Sequence, residues 1–135
     1  MEHPLLKDGY IEKRDYQVNI AKSCSKRPTL VVLTTGMGKT IIAILVIADK
    51  IRDGQKMLFL APTKPLVAQH AKSLTTFMRS PNLVQFTGEV PPPSRMDLWR
   101  EHDIIVSTPQ VIENDLGSGR IDLADVSLVV FDEAH

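Results

Sequence analysis

Leu33-Thr34-Thr35-Gly36-Met37-Gly38-Lys39-Thr40 closes the apolar run that begins at Thr29 and opens onto Ile41-Ile42-Ala43-Ile44-Leu45. The order reads as buried strand, glycine-bearing turn, helix. Such a turn exposes the consecutive backbone N–H groups of Thr35, Gly36, Met37 and Gly38 at the point faced by the positive dipole end of the next helix, which makes a cradle for polyphosphate. Lys39 would reach the β and γ phosphates of ATP, and Thr40 would hold Mg²⁺. The strict pattern asks for glycine five residues before Gly38, and Leu33 stands there, so the loop needs a second element to support it.

That element lies at the other end of the chain, where the apolar run Leu128-Val129-Val130-Phe131 delivers Asp132-Glu133-Ala134-His135. Phosphoryl transfer needs charge neutralised by a metal and an in-line nucleophile, and adjacent carboxylates at a strand end point in different directions. Asp132 would help fix Mg²⁺ through water, and Glu133 would orient and polarise the attacking water. An acidic pair alone is more often an exposed turn; behind a buried strand and alongside Gly38-Lys39-Thr40 it reads as catalytic.

Between the two ends, strand and helix patterns alternate. Tyr16, Ile20, Ala21 and Cys24 recur at helical spacing over Asp15 to Cys24, and Pro28 bounds that helix. Strands are expected at Thr29 to Leu33, Lys56 to Ala61, Leu83 to Phe86, Asp103 to Ser107 and Leu128 to Phe131. Helices are expected at about Lys39 to Arg52, from Thr63-Lys64-Pro65 to Met78, from a Ser94 cap to His102, and from Pro109 to Leu116. Gly117-Ser118-Gly119 is a turn. Met96, Leu98 and Trp99 are packing residues, and Glu113 and Asp115 read as helix decoration. His3, His70 and His102 lack metal-ligand spacing and read as surface or helix-face residues. The alternation predicts an α/β fold, a parallel sheet with helices on both faces. Its ligands belong at the carboxyl ends of the strands, where all the inter-element loops just quoted would gather.

Composition narrows the class without deciding it. The 135 residues carry 16 Lys plus Arg against 16 Asp plus Glu, with 43% hydrophobic residues. One domain at most fits this length, and a balanced charge gives no global basic field for nucleic acid or anionic membrane. The single cysteine, Cys24, excludes an intrachain disulfide or a cysteine metal cluster and suits a reducing, cytoplasmic setting. The first residues lack the basic and apolar regions of a signal peptide, and no apolar run is long enough for a bilayer span.

The motifs together resemble those of superfamily 2 DEAH helicases. Leu33 to Thr40 looks like motif I, Ala61-Pro62-Thr63-Lys64-Pro65-Leu66-Val67 like motif Ia, Thr87-Gly88-Glu89 and Ser107-Thr108-Pro109-Gln110 like the motif Ib region, and Asp132 to His135 like motif II. Pro62 to Gln69, Thr87 to Glu89 and Thr108 to Leu116 are most similar to the archaeal Hef and Fanconi anaemia M-type branch, in which the first glycine of the phosphate loop is commonly replaced. The resemblance implies a RecA-like P-loop NTPase domain over residues 14 to 135, behind a lead-in of residues 1 to 13. It also nominates Gln17 for the adenine base and His135 for coupling nucleotide state to the rest of the motor. Thr63, Lys64, Gly88, Thr108 and Gln110 are nominated for the sugar-phosphate backbone of a bound strand, contacts that do not read sequence.

In that family the motor needs a second RecA-like domain, and this sequence stops after motif II. By resemblance the strand leading to motif III lies between the motif I and motif II strands, so a gap is expected in the middle of the sheet, at a cost in unpaired backbone groups. The expected function is that of a truncated ATP-dependent helicase or translocase segment acting on forked or branched DNA, with RNA not excluded by any residue. Full activity would require a second domain or companion polypeptide. The alternatives are an ATP-dependent nucleic-acid-binding module without productive hydrolysis and a P-loop kinase or small-molecule ATPase. The last gives no reason for Pro62 to Gln69 or Thr108 to Leu116.

Overall fold

In the computed structural model the described residues are 18–20, 22–24, 28–33, 55–78 and 81–133. They form a five-stranded sheet in the order β1-β5-β2-β4-β3. The strands are β1 (Thr29–Leu33), β2 (Lys56–Leu60), β3 (Leu83–Phe86), β4 (Ile104–Ser107) and β5 (Val126–Asp132). The helices are α1 (Lys64–Phe77), α2 (Pro92–Glu101) and α3 (Pro109–Gly117). Every strand pair is parallel. Each connection after β2 therefore crosses over through a helix or, between α3 and β5, through a helix and an extended stretch.

The central strands lack polar alternation because both of their faces are covered. On one face Met57, Phe59, Ile104, Val106, Leu128 and Val130 pack with Val67, Ala71 and Leu74 of α1. On the other, Leu58, Leu60, Ile105, Val129 and Phe131 pack with Trp99 of α2, Val111 and Ile112 of α3, and Ile20. The expected helices on both faces are present.

β1 and β5 are direct neighbours, with Thr29 opposite Leu128 and Leu33 opposite Asp132. The expected gap between the motif I and motif II strands is therefore absent. Parallel pairing satisfies backbone groups that a gap would leave bare, and buried backbone polar groups are rarely left unpaired. β1 is outermost in this order, and Leu30 remains 48% exposed.

α2 begins at Pro92, two residues before the expected Ser94 cap, and its N-cap position, Pro91, makes no side-chain capping bond. Proline fits the first helical turn because the N–H it lacks would have no intrahelical partner there. Pro91 is therefore the N-cap residue and Pro92-Pro93 the first turn of α2. At the other end of α3, Gly119 takes a left-handed conformation with φ 72°. Its N–H donates to the carbonyl of Leu116 at 3.1 Å, which turns the chain as expected at Gly117-Ser118-Gly119. Among the described residues no helix is long and apolar enough to cross a membrane.

Candidate nucleotide and nucleic-acid site

β5 carries Asp132 and Glu133 to its carboxyl end, where they are 6% and 5% exposed. The N–H of Glu133 donates to the carbonyl of Leu33 at 2.8 Å. The last residue of β1, which precedes Thr34-Thr35-Gly36 in the sequence, thus accepts a hydrogen bond from the backbone of the acidic pair. Thr35, Gly36, Met37, Gly38, Lys39 and Thr40 lie outside the described residues, as do Gln17 and His135.

Two buried carboxylates are hard oxygen donors, the ligand type that Mg²⁺ prefers. On this chemistry the residues present fit a divalent cation.

His70 enters the site from α1. Its Nε2 lies 2.5 Å from Oδ2 of Asp132, and both side chains are 7% exposed. The Phe59 ring lies 4.6 Å from the imidazole at an interplanar angle of 33°. Of the surface and helix-face readings of His70, the surface one is corrected here: it sits buried on the helix face that packs against the sheet, together with Val67, Ala71 and Leu74. Its spacing from Val67 and Leu74 was the available signal. A polar residue in that register reads as half-buried until its partner, distant in sequence, is known.

The remaining nominated residues gather on the same sheet edge, after β2, β3 and β4. Thr63 caps α1, its Oγ1 accepting from the N–H of Leu66 at 3.3 Å, a role that itself explains the residue. Lys64 meets Glu89 at 3.2 Å in an exposed ion pair, which links the first residue of α1 to the loop after β3. Gly88 is exposed, with nothing within 4 Å of where a Cβ would stand. Thr108 occupies the N-cap position of α3 without a side-chain capping bond and is 9% exposed, whereas Gln110 is exposed.

Behind these loops lies an ion network that helix periodicity does not reveal. Asp115, fully buried, accepts from Nε and Nη2 of Arg95 at 2.7 Å each and from Nη1 of Arg120 at 3.1 Å. Arg95 also donates through Nη1 to the carbonyl of Val90 at 2.6 Å. The hydrogen bond to Asp115 holds the Arg95 guanidinium above its already high ordinary pKa. Asp115 is thus a structural hub that ties α3 to the turn containing Gly88, while Glu113 is exposed as expected. Trp99 is 5% exposed against Phe86, with Lys56 over its ring at 5.6 Å, which bears out packing.

Residues 14–135 match the family model for DEAD/DEAH box helicases. A Methanocaldococcus jannaschii protein named as an ATP-dependent RNA helicase is 45% identical over the whole of this chain, which spans 18% of that protein. The Drosophila melanogaster DEAD-box ATP-dependent DNA helicase Fancm is 40% identical over 90% of this chain and 9% of its own length. The solved Pyrococcus furiosus Hef helicase domain is 44% identical with a TM-score of 0.70, covering 88% of this chain and 25% of that one. The sheet described above is accordingly of the RecA-like helicase type, and the chain spans less than a fifth of the length of those two curated relatives. On these matches the chain belongs to the DEAD/DEAH box helicase family, among relatives that include the Hef and Fanconi anaemia M-type helicases.

Proposed function

We propose that residues 14 to 135 provide ATP-binding and catalytic groups of a nucleic-acid helicase or translocase that acts on forked or branched DNA, with residues 1 to 13 as a lead-in. The observation that supports this reading is the hydrogen bond between Glu133 and Leu33, because Leu33 directly precedes in sequence the residues proposed to hold phosphate. Lys39 and the residues from Thr35 to Gly38 bind the triphosphate, and Gln17 binds the base. Thr40 and Asp132 hold Mg²⁺, which when bound neutralises charge on the phosphates. Glu133 orients the attacking water and polarises it toward the γ-phosphorus.

Thr63, Lys64, Gly88, Thr108 and Gln110 hold the strand by its backbone, and His135 relays nucleotide state to a second RecA-like domain or companion polypeptide. The names of the relatives divide between RNA and DNA. The DNA reading rests on the Fancm relative, which is named as a DNA helicase.

The test measures ATP binding and hydrolysis with single-stranded, duplex and forked DNA and with duplex RNA, for the 135-residue chain and for any longer polypeptide that contains it. Forked DNA should stimulate hydrolysis in the complete motor, and Lys39→Ala should abolish it. Nucleic-acid binding without turnover in every form would assign a binding module instead. Turnover indifferent to nucleic acid would assign a small-molecule ATPase.

A further inference from the structure

We infer that His70 is a positioning residue for Asp132, fixing the carboxylate plane at the nucleotide site from within α1. The inference rests on the proposed role of Asp132. The buried stripe of α1 consists of Val67, His70, Ala71 and Leu74, so an imidazole occupies a place where an aliphatic side chain would pack without desolvation cost. What the imidazole gains there is the bond to Asp132. An ionised carboxylate only accepts, so Nε2 carries the hydrogen and donates to Oδ2. Nδ1 is buried and finds no hydrogen-bond partner among the described residues. The Asp132 contact therefore fixes both the tautomer and the orientation of the ring, and Phe59 braces its face.

The carboxylate is constrained in turn. Asp132 shares its sheet face with Leu128 and Val130, the residues that meet α1, so the side chain leaves β5 directly toward His70. α1 begins at the Thr63 cap, and a displacement of its first turn reaches the carboxylate through a single helix. Groups that hydrogen-bond a metal-ligating carboxylate set its orientation, and their loss typically costs about 10- to 100-fold in metal affinity or activity.

The test compares wild type with His70→Leu, which suits the apolar stripe, and His70→Gln, whose amide nitrogen can replace the Nε2 donor. Mg²⁺-dependent binding of a fluorescent ATP analogue should require about tenfold more Mg²⁺ in His70→Leu, and His70→Gln should recover most of the loss. Thermal unfolding of both variants checks the fold. Long-range ¹H–¹⁵N spectra of the labelled imidazole should show the Nε2–H tautomer in the wild type, a readout that stands whether or not nucleotide binds. An Nδ1–H tautomer, equal behaviour of Leu and Gln, or unchanged Mg²⁺ dependence in His70→Leu would overturn the inference. Asp132→Asn separates the two readings. If it raises the Mg²⁺ requirement while His70→Leu does not, only the positioning role fails; if it too is neutral, the proposed nucleotide site fails.

Discussion

Glu133 donates its backbone N–H to the carbonyl of Leu33 at 2.8 Å, one residue beyond the last paired position of β1 and β5, Leu33 with Asp132. The carboxyl end of β1 is thereby fixed to the backbone of the acidic pair by main-chain bonds, without dependence on side-chain flexibility.

Glu133→Gln keeps the size of a side chain that is 5% exposed and removes its ability to polarise water. The expected outcome is nucleotide binding within a factor of about two of wild type and hydrolysis reduced at least ~100-fold in the complete motor. Equilibrium binding and single-turnover hydrolysis measured side by side check this. Equal loss of both would mean that Glu133 holds the nucleotide and does not serve the chemical step.

Gly88 has open space where a Cβ would lie, and its backbone is not left-handed, so Gly88→Ala should leave the unfolding temperature unchanged. If a sugar-phosphate strand rests against this turn, the methyl group will weaken single-stranded DNA binding by several-fold, read by fluorescence anisotropy. Thr63→Ala behaves differently: it removes the α1 cap and costs about 1 kcal/mol of stability, whereas Thr63→Ser keeps the cap. Unaltered DNA binding by Gly88→Ala would remove that turn from the interface.

The pair Arg95–Asp115 should dominate the stability of the α2–α3 side. Asp115→Ala strands the buried guanidinium of Arg95 and should cost about 3–5 kcal/mol in urea unfolding. Arg120, whose side chain is 32% exposed, should matter by less than about 1 kcal/mol when replaced by Ala. Replacing both members of the buried pair with Met and Leu should be milder than Asp115→Ala, because no uncompensated charge remains.

Burial pushes the Cys24 thiol above its ordinary pKa, and its Sγ–H donates to the carbonyl of Ile20 at 3.5 Å. The folded state keeps this proton at a pH where the unfolded chain has lost it. The contribution to stability is therefore complete below the ordinary thiol value and declines as pH rises from that value through the raised one. Urea unfolding at neutral and at alkaline pH should show a downward slope that Cys24→Ala reduces. Alkylation of the native chain should be slower than that of the unfolded chain.

The strand positions and the parallel class were legible because continuous apolar runs bounded by Pro and Gly have few other interpretations. Thr29–Leu33 and Leu83–Phe86 fall where the pattern put them, and Lys56–Leu60 stops one residue short of it. The start of α2 was expected at a Ser94 cap and lies at Pro92, because proline stiffens a loop and opens a helix equally well, and only the continuing chain distinguishes the two. His70 and Asp115 misled for another reason. Helical spacing tells which residues share a face, but whether a polar residue on the inner face is tolerated depends on a partner 62 residues away for His70 and 20 away for Asp115.

The sequence by itself determined the local pattern on which the proposed chemistry rests, one apolar run leading to Gly-Lys-Thr and another ending in Asp-Glu, because such patterns are short-range and physically constrained. Tertiary structure alone decided which strand lies beside which. β1 pairs directly with β5, because backbone groups take whichever parallel partner satisfies them, and a one-dimensional pattern contains no term for that choice. It likewise decided that His70 faces Asp132, for two positions so distant in the chain become neighbours only when α1 packs on the sheet.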